Sequence, residues 1–204
     1  MISLGVVALF GLSVPLVLQT LPRRARRIHP DIVRSVLADT ASPSVGPARA
    51  DVTVVVFSDY QCPICRADEP VIERVIRLDP GVRFVFKDWP IFGARSEYAA
   101  RVALAAARQG RFMPLHDALM RTPDPLTAAS VQKLALAAGL DWPEVSRSLD
   151  DPRSGLSHQL GRHQFEAWSL GLAGTPAYLV GDDLYEGRLS QAQLDQAIRT
   201  ARQA

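Results

Sequence analysis

The 204-residue sequence predicts an α/β fold: a β-α-β unit, a helical block, and a closing β-β-α unit. Three observations predict it. Val52 to Phe57 is a continuous apolar, β-branched run, the pattern of a strand buried on both faces. The stretch after about residue 95 repeats helical periodicity between Gly and Pro stops up to about 171. Gly174-Thr175-Pro176 then precedes a short strand, a Gly181-Asp182-Asp183 turn and a terminal amphipathic segment.

Taken in order, the chain starts with a charge-free run, Ile2 to Leu21, of 20 residues. That is long enough to cross a bilayer core, and Gly5, Gly11 and Pro15 are tolerated in such a span. Residues 1–22 are therefore expected to be a membrane anchor or a signal. No small-x-small cleavage site follows directly; Ala48-Arg49-Ala50 lies too far downstream. An uncleaved anchor is the expectation. Arg23, Arg24, Arg26 and Arg27 follow the span, and by the positive-inside rule they place the main domain in the cytoplasm. The cysteine chemistry favours the opposite side; a start further upstream with a basic n-region would reconcile the two.

Residues 23–50 read as a basic stretch, a short helix and a linker. His29 to Asp39 has Pro30 and Asp31 suited to a first turn and Ile32, Val33, Val36 and Leu37 on one face. Ala41 to Ala50 is rich in Ser, Pro and Gly, so the domain is expected to begin near Asp51 and run to 204. After the Val52–Phe57 strand come the cysteines. Next is a helix with Asp68 and Glu69 in its first turns, where they complement the dipole, and with Val71, Ile72, Val75 and Ile76 buried. Asp79-Pro80-Gly81 ends it, and Val82 to Phe86 is a second strand. Helices are expected over Ser96–Gln109, Phe112–Met120, Thr127–Ala138, Trp142–Leu149 and Ser154–Leu170. Strands follow at Ala177–Val180 and Leu184–Glu186, and a last helix at Ser190–Arg202.

Composition excludes several classes. Apolar residues make up 48% and charged residues 22%, which is globular rather than disordered. The net charge of +2, with no basic stripe interleaved with aromatics, argues against a nucleic-acid partner. Two cysteines are too few for a disulfide-stapled scaffold. A zinc site needs two further ligands, and no second cysteine pair exists. His158 and His163 are spaced to point about 140° apart on a helix. No metal and no cofactor is expected, and the four histidines read as structural or surface residues.

What remains is Cys62-Pro63-Ile64-Cys65, at a strand end and a helix start. Disulfides exchange by thiolate attack. An ordinary cysteine has a pKa of about 8.5, so only a few per cent is thiolate at neutral pH. Unpaired N–H groups and the dipole at a helix N-terminus stabilise the anion. Two intervening residues put the second sulfur one turn on, and Pro63 suits the first turn because no hydrogen bond is lost there. Cys62 is read as the exposed nucleophile and Cys65 as the buried resolving thiol. The bland alternative is an inert disulfide or two buried thiols.

The run TVVVFSDYQCPIC, with Phe86-Lys87-Asp88-Trp89-Pro90-Ile91, His116-Asp117-Ala118-Leu119-Met120 and Gly174-Thr175-Pro176-Ala177-Tyr178, resembles the bacterial Dsb-type thiol–disulfide oxidoreductases. The resemblance covers about 150 residues in the expected order. It implies a thioredoxin fold with a helical insertion at about 95–171. It also implies a cis Thr175–Pro176 peptide facing the cysteines, where a substrate peptide can pair as an added strand. The implied partners are cysteine-containing proteins and a membrane redox partner that recycles the cysteines. The implied location is the periplasm, tethered by the N-terminal segment or free after cleavage. A monomeric oxidase is favoured over an isomerase or reductase. The competing reading is a noncatalytic envelope binding module, copper-handling or chaperone-like; a glutathione-dependent transferase ranks third.

Two departures from the family pattern stand out. The superfamily often carries a buried acid six residues before the first cysteine; here that position is Val56, with Asp59 and Lys87 as substitute candidates. The dipeptide is Pro-Ile, so the imidazole that some relatives place beside the nucleophile is absent, and the Cys62 thiolate should be less stabilised than in the strongest oxidants. Phe57, Tyr60, Trp89 and Phe92 read as core or cleft wall, and Arg66 as a solvated residue.

Overall fold

The computed structural model describes residues 24–204; the expected anchor or signal lies outside the described residues. No described helix is long and apolar enough to cross a membrane.

Strand β3 (Val52–Ser58) runs parallel to β4 (Val82–Asp88), joined by helix α2 (Pro63–Leu78). β5 (Ala177–Val180) pairs antiparallel with β3 on its other side, and β6 (Asp183–Glu186) pairs antiparallel with β5. Between β4 and β5 lies the expected helical block: α3 (Ala94–Arg108), α4 (Phe112–Arg121), α5 (Ala128–Ala137), α6 (Trp142–Asp150), a 3-10 turn at Pro152–Ser154, and α7 (Leu156–Ser169). Helix α8 (Gln191–Ala201) closes the chain, with Ser190 and Gln193 forming a capping box.

The segment expected to be a linker is built into the sheet. Arg26–Arg27 form β1 against β6, and Ser44–Val45 form β2 against β4, giving the order β1-β6-β5-β3-β4-β2 among the described residues. Helix α1 (Pro30–Leu37) begins at His29, whose Nδ1 accepts the Asp31 N–H at 3.2 Å. It buries Val33 and Val36 but leaves Leu37 exposed. Gly46 (φ 107°) turns the chain out of β2; a Cβ there would collide with the Val82 carbonyl. The Ser/Pro/Gly composition misled because these residues serve a two-residue strand with tight exits, not a free linker.

Pleating sorts the strands into two cores. Val54 and Val56 of β3, Phe84 and Phe86 of β4 and Tyr178 of β5 face the cysteines and helices α2 to α6 and α8. Val55, Phe57, Val85 and Leu179 face the other way, onto Ile28, Val33, Val36, Ala167 and Leu170. The Ala-rich face of α3 (Ala99, Ala100, Ala103, Ala106) is almost solvent-free, and its small side chains let the neighbouring helices pack close.

Candidate active site

The cysteines stand where the sequence places them, at the carboxyl end of β3 and the start of α2. Cys62 is the N-cap of α2: its sulfur accepts the Cys65 backbone N–H at 3.4 Å. A residue that caps a helix with sulfur places that atom at the positive end of the dipole. Pro63 follows at the first helical position. The Cys62 thiol also donates to the Thr175 carbonyl at 3.5 Å, across the cis Thr175–Pro176 peptide. Both cysteines are free thiols.

Cys62 is not exposed as expected. Its relative exposure is 2%, the same as that of Cys65. The Thr175 backbone packs over the sulfur, so the two thiols do not differ in gross accessibility. They differ in surroundings. Burial pushes the Cys65 thiol far up, opposed by the Asp59 backbone N–H and the Thr175 hydroxyl. That hydroxyl has no other partner. Ile64, half exposed, stands outward between the two cysteines, and Ile91 and Phe92 add exposed apolar surface after β4. Phe57, Tyr60 and Trp89 are core, and Phe92 is about half exposed.

Neither substitute expected for the missing acid can serve. Lys87 points to the face of the sheet away from the cysteines. There its Nζ lies 2.7 Å from Asp39 and 2.8 Å from Glu166, all three buried. Burial alone would raise the Asp39 carboxyl, but bonds from Lys87 and Ser42 hold it well below the usual carboxylate range. Asp59 is saturated. One oxygen accepts from the Gln61 N–H (2.7 Å) and the Ser96 hydroxyl (2.6 Å), the other from the Ile91 and Phe92 N–H groups (2.7 and 3.0 Å). It stitches the loop before the cysteines to the loop after β4.

Three further residues have surroundings that the sequence did not specify. Arg66 is half-buried and binds the C-terminal end of α4, donating from Nε to the Met120 carbonyl at 2.9 Å and from the guanidinium to Leu119 and Thr122. A cation at those carbonyls also answers the helix dipole. Asp68 is fully buried, and it accepts from the Tyr178 hydroxyl (2.9 Å), Arg188 Nε (2.8 Å) and the Leu189 N–H. His116 is buried between Phe86, Phe112 and Tyr60, with Nδ1 3.0 Å from the Tyr60 hydroxyl and Nε2 3.2 Å from Glu69. The signal for His116 was its place among Phe112, Leu115 and Leu119 on one helical face.

A dithiol spaced one helical turn apart, with one sulfur capping a helix and a backbone carbonyl beside it, is suited to thiol–disulfide exchange. Comparison with known proteins agrees. A thioredoxin-like oxidoreductase from Silicibacter pomeroyi DSS-3 superposes with a TM-score of 0.79 at 37% identity, covering 83% of this chain and 97% of that one. A periplasmic thioredoxin-like protein from Salmonella enterica serovar Typhimurium superposes with a TM-score of 0.74 at 27% identity, covering 88% and 100%. Among curated sequences, the Na(+)/H(+) antiporter NhaA 3 of Salinispora tropica is 30% identical over 158 residues, 76% of this chain but 24% of that protein. The chain thus spans about a quarter of the length of the curated relative. Residues 53–199 match the DSBA-like thioredoxin domain, including both cysteines and the Thr175–Pro176 segment. By fold, motif and match, this chain belongs to the family of DSBA-like thioredoxin domains.

Proposed function

We propose that the chain is a thiol–disulfide oxidoreductase that works in the periplasm on cysteine-containing proteins through Cys62 and Cys65. The observation that carries this reading is the Cys62 sulfur itself, bound by the Cys65 N–H at the start of α2 and lying against the Thr175 carbonyl. Thr175 and Pro176 are the substrate-binding edge in this reading, and Pro63 and Ile64 support the motif. Ile64, Ile91 and Phe92 offer the apolar rim that an unfolded substrate segment would cover. Cys62 forms the mixed disulfide; Cys65 resolves it. The chain is read as a monomeric oxidase, tethered by its N-terminal segment and recycled by a membrane redox partner. The periplasmic Salmonella relative supports the location.

The test is the reduction potential of the pair in graded glutathione buffers. A value well above about −180 mV marks a disulfide donor; a value near or below about −250 mV marks a reductase or isomerase. One observation favours a second reading, a noncatalytic binding module: both sulfurs are buried. Absence of dithiol exchange by the wild-type chain would select it.

A further inference from the structure

Helix α7 buries one side and leaves the other bare. Ala167 and Leu170, at its C-terminal end, pack onto the face of the sheet away from the cysteines. His158, Arg162, Phe165 and Ser169 recur every three or four residues as an exposed stripe, with Trp168 beside them. Phe165 and Trp168 are 65% and 61% exposed, more than any other aromatic side chain among the described residues. Two large aromatic side chains one helical turn apart on an open surface mark an interaction site.

Helix α1 lies alongside, and two hollows between the helices meet at Phe165. One, of about 190 Å³, is lined by Ile32, Val36, Phe165 and Ser169. The other, of about 470 Å³, is lined by Ser35, His158, Arg162 and Phe165. The first offers apolar walls and the second a guanidinium and an imidazole, the combination that suits an acyl chain beside a phosphate. The acids that line the hollows are both engaged, Asp31 by Arg34 and Glu166 by Lys87. A second copy of this face, docked by two-fold symmetry, would therefore bring no free acid to Arg162.

The chain enters the fold at this same face. Arg26 donates to the Leu170 carbonyl, two residues past Trp168, and the charge-free run Ile2–Leu21 ends five residues before Arg26. Five residues reach at most about 18 Å. A bilayer that takes up the run is thus held close to Trp168, with the exposed Arg24 on the short stretch between them. Indole rings favour the headgroup level, and arginine heads reach phosphates while their stems lie on apolar surface. We propose that the α1/α7 face rests on the surface of a phospholipid bilayer, with Phe165 and Trp168 among the upper acyl chains and Arg24 and Arg162 at the phosphates. The proposal rests on the tethered reading, in which the apolar run lies in the membrane. The cysteines belong to the core on the other face of the sheet. Docking by α1 and α7 therefore turns Cys62 and the Thr175 edge away from the lipid, open to a substrate arriving from solution.

The experiment uses the full chain, as wild type and W168F, reconstituted with vesicles of phosphatidylglycerol and phosphatidylcholine and isolated by flotation. Tryptophan emission is compared between vesicles whose acyl chains are plain and vesicles whose acyl chains are brominated, since bromine quenches an indole only at close range. The expected result is a loss of the Trp168 share of the wild-type emission. No such loss is expected in W168F, which keeps only Trp89 and Trp142, neither of them exposed. Trp168 is exposed, so the substitution leaves the fold intact, and dithiol exchange by W168F on the same vesicles should match wild type. Flotation without bromine quenching overturns the proposal and leaves the tether standing. In that case shielding of Trp168 from aqueous acrylamide would assign the face to a protein partner or a second copy, and free access of acrylamide would leave it bare. A chain that does not float overturns the tether and the proposal together.

Discussion

Lys87 Nζ lies 2.7 Å from Asp39 Oδ2, joining the middle of the sheet to the segment that precedes β3. With Glu166 at 2.8 Å on the other side, one buried cation serves two buried carboxylates. Replacing Lys87 by Met removes the cation and strands both acids. The expected loss is about 3–5 kcal/mol, read as a lowered urea midpoint. Asp39→Asn, which leaves the Lys87–Glu166 pair in place, should cost less. An equal or larger loss would show that the Asp39 bond is the more important half.

His163 sits in the same network and makes stability fall in mild acid. Burial and the Lys87 charge push it down to about 4. Its Nδ1 faces the Asp88 carbonyl, which can only accept, so Nδ1 carries the proton and Nε2 accepts from Ser42 or Gln159. Between the ordinary value of 6.5 and about 4, the unfolded chain binds a proton that the folded chain refuses. The contribution is fully present above pH 6.5 and is lost as pH falls towards 4, by roughly 3 kcal/mol. The difference in urea stability between wild type and H163Q should shrink across that window. A difference independent of pH would contradict the assignment.

Asp88 carries the opposite sign. A carboxyl raised from 3.8 to about 7 favours the folded chain below pH 3.8 and loses that advantage as pH rises through 7. D88N should therefore gain stability relative to wild type between pH 5 and pH 8. Equal gains at both values would mean that the substitution changes packing rather than charge.

Arg66 binds three carbonyl groups at the end of α4. R66A should cost roughly 1–2 kcal/mol, with R66K recovering part of it. Full stability of R66A would return this residue to the solvent-exposed role its sequence position suggests.

Asp59→Asn turns two of the four acceptor positions around that carboxylate towards donors. A loss of about 1–3 kcal/mol is expected, with slower exchange, because the Ile91–Phe92 loop is held by the same oxygen. Cys65→Ala tests the assignment of roles: substrate should stay disulfide-bonded to Cys62 and appear as a mass adduct. Adducts in Cys62→Ala instead would reverse the two roles.

The helices and inner strands were legible because their patterns are strong: β5, the starts of β3, β4, α4 and α6 and the end of β6 fall where periodicity puts them, and the other ends differ by one or two residues. Capping explains the small differences; Thr127 and Ser190 are caps, not first helical residues. The cysteine pair was legible because its chemistry is local in sequence. The polar interior was not. Lys87 and Asp88 are adjacent in a strand, so they face opposite cores, and the Lys87 partners lie 48 residues back, at Asp39, and on α7, at Glu166. No periodicity in a single segment reports such pairings.

The two outermost strands, Arg26–Arg27 and Ser44–Val45, both come from the stretch that precedes β3. Each is two residues long, and the first offers only arginine side chains to an approaching chain. They act as guards: short, charged borders leave little free backbone for another molecule to pair with. A fragment starting at Asp51 would bare the backbone of β4 and β6 to its neighbours. It would keep both cysteines and the inner fold, yet be the form most prone to stick to itself.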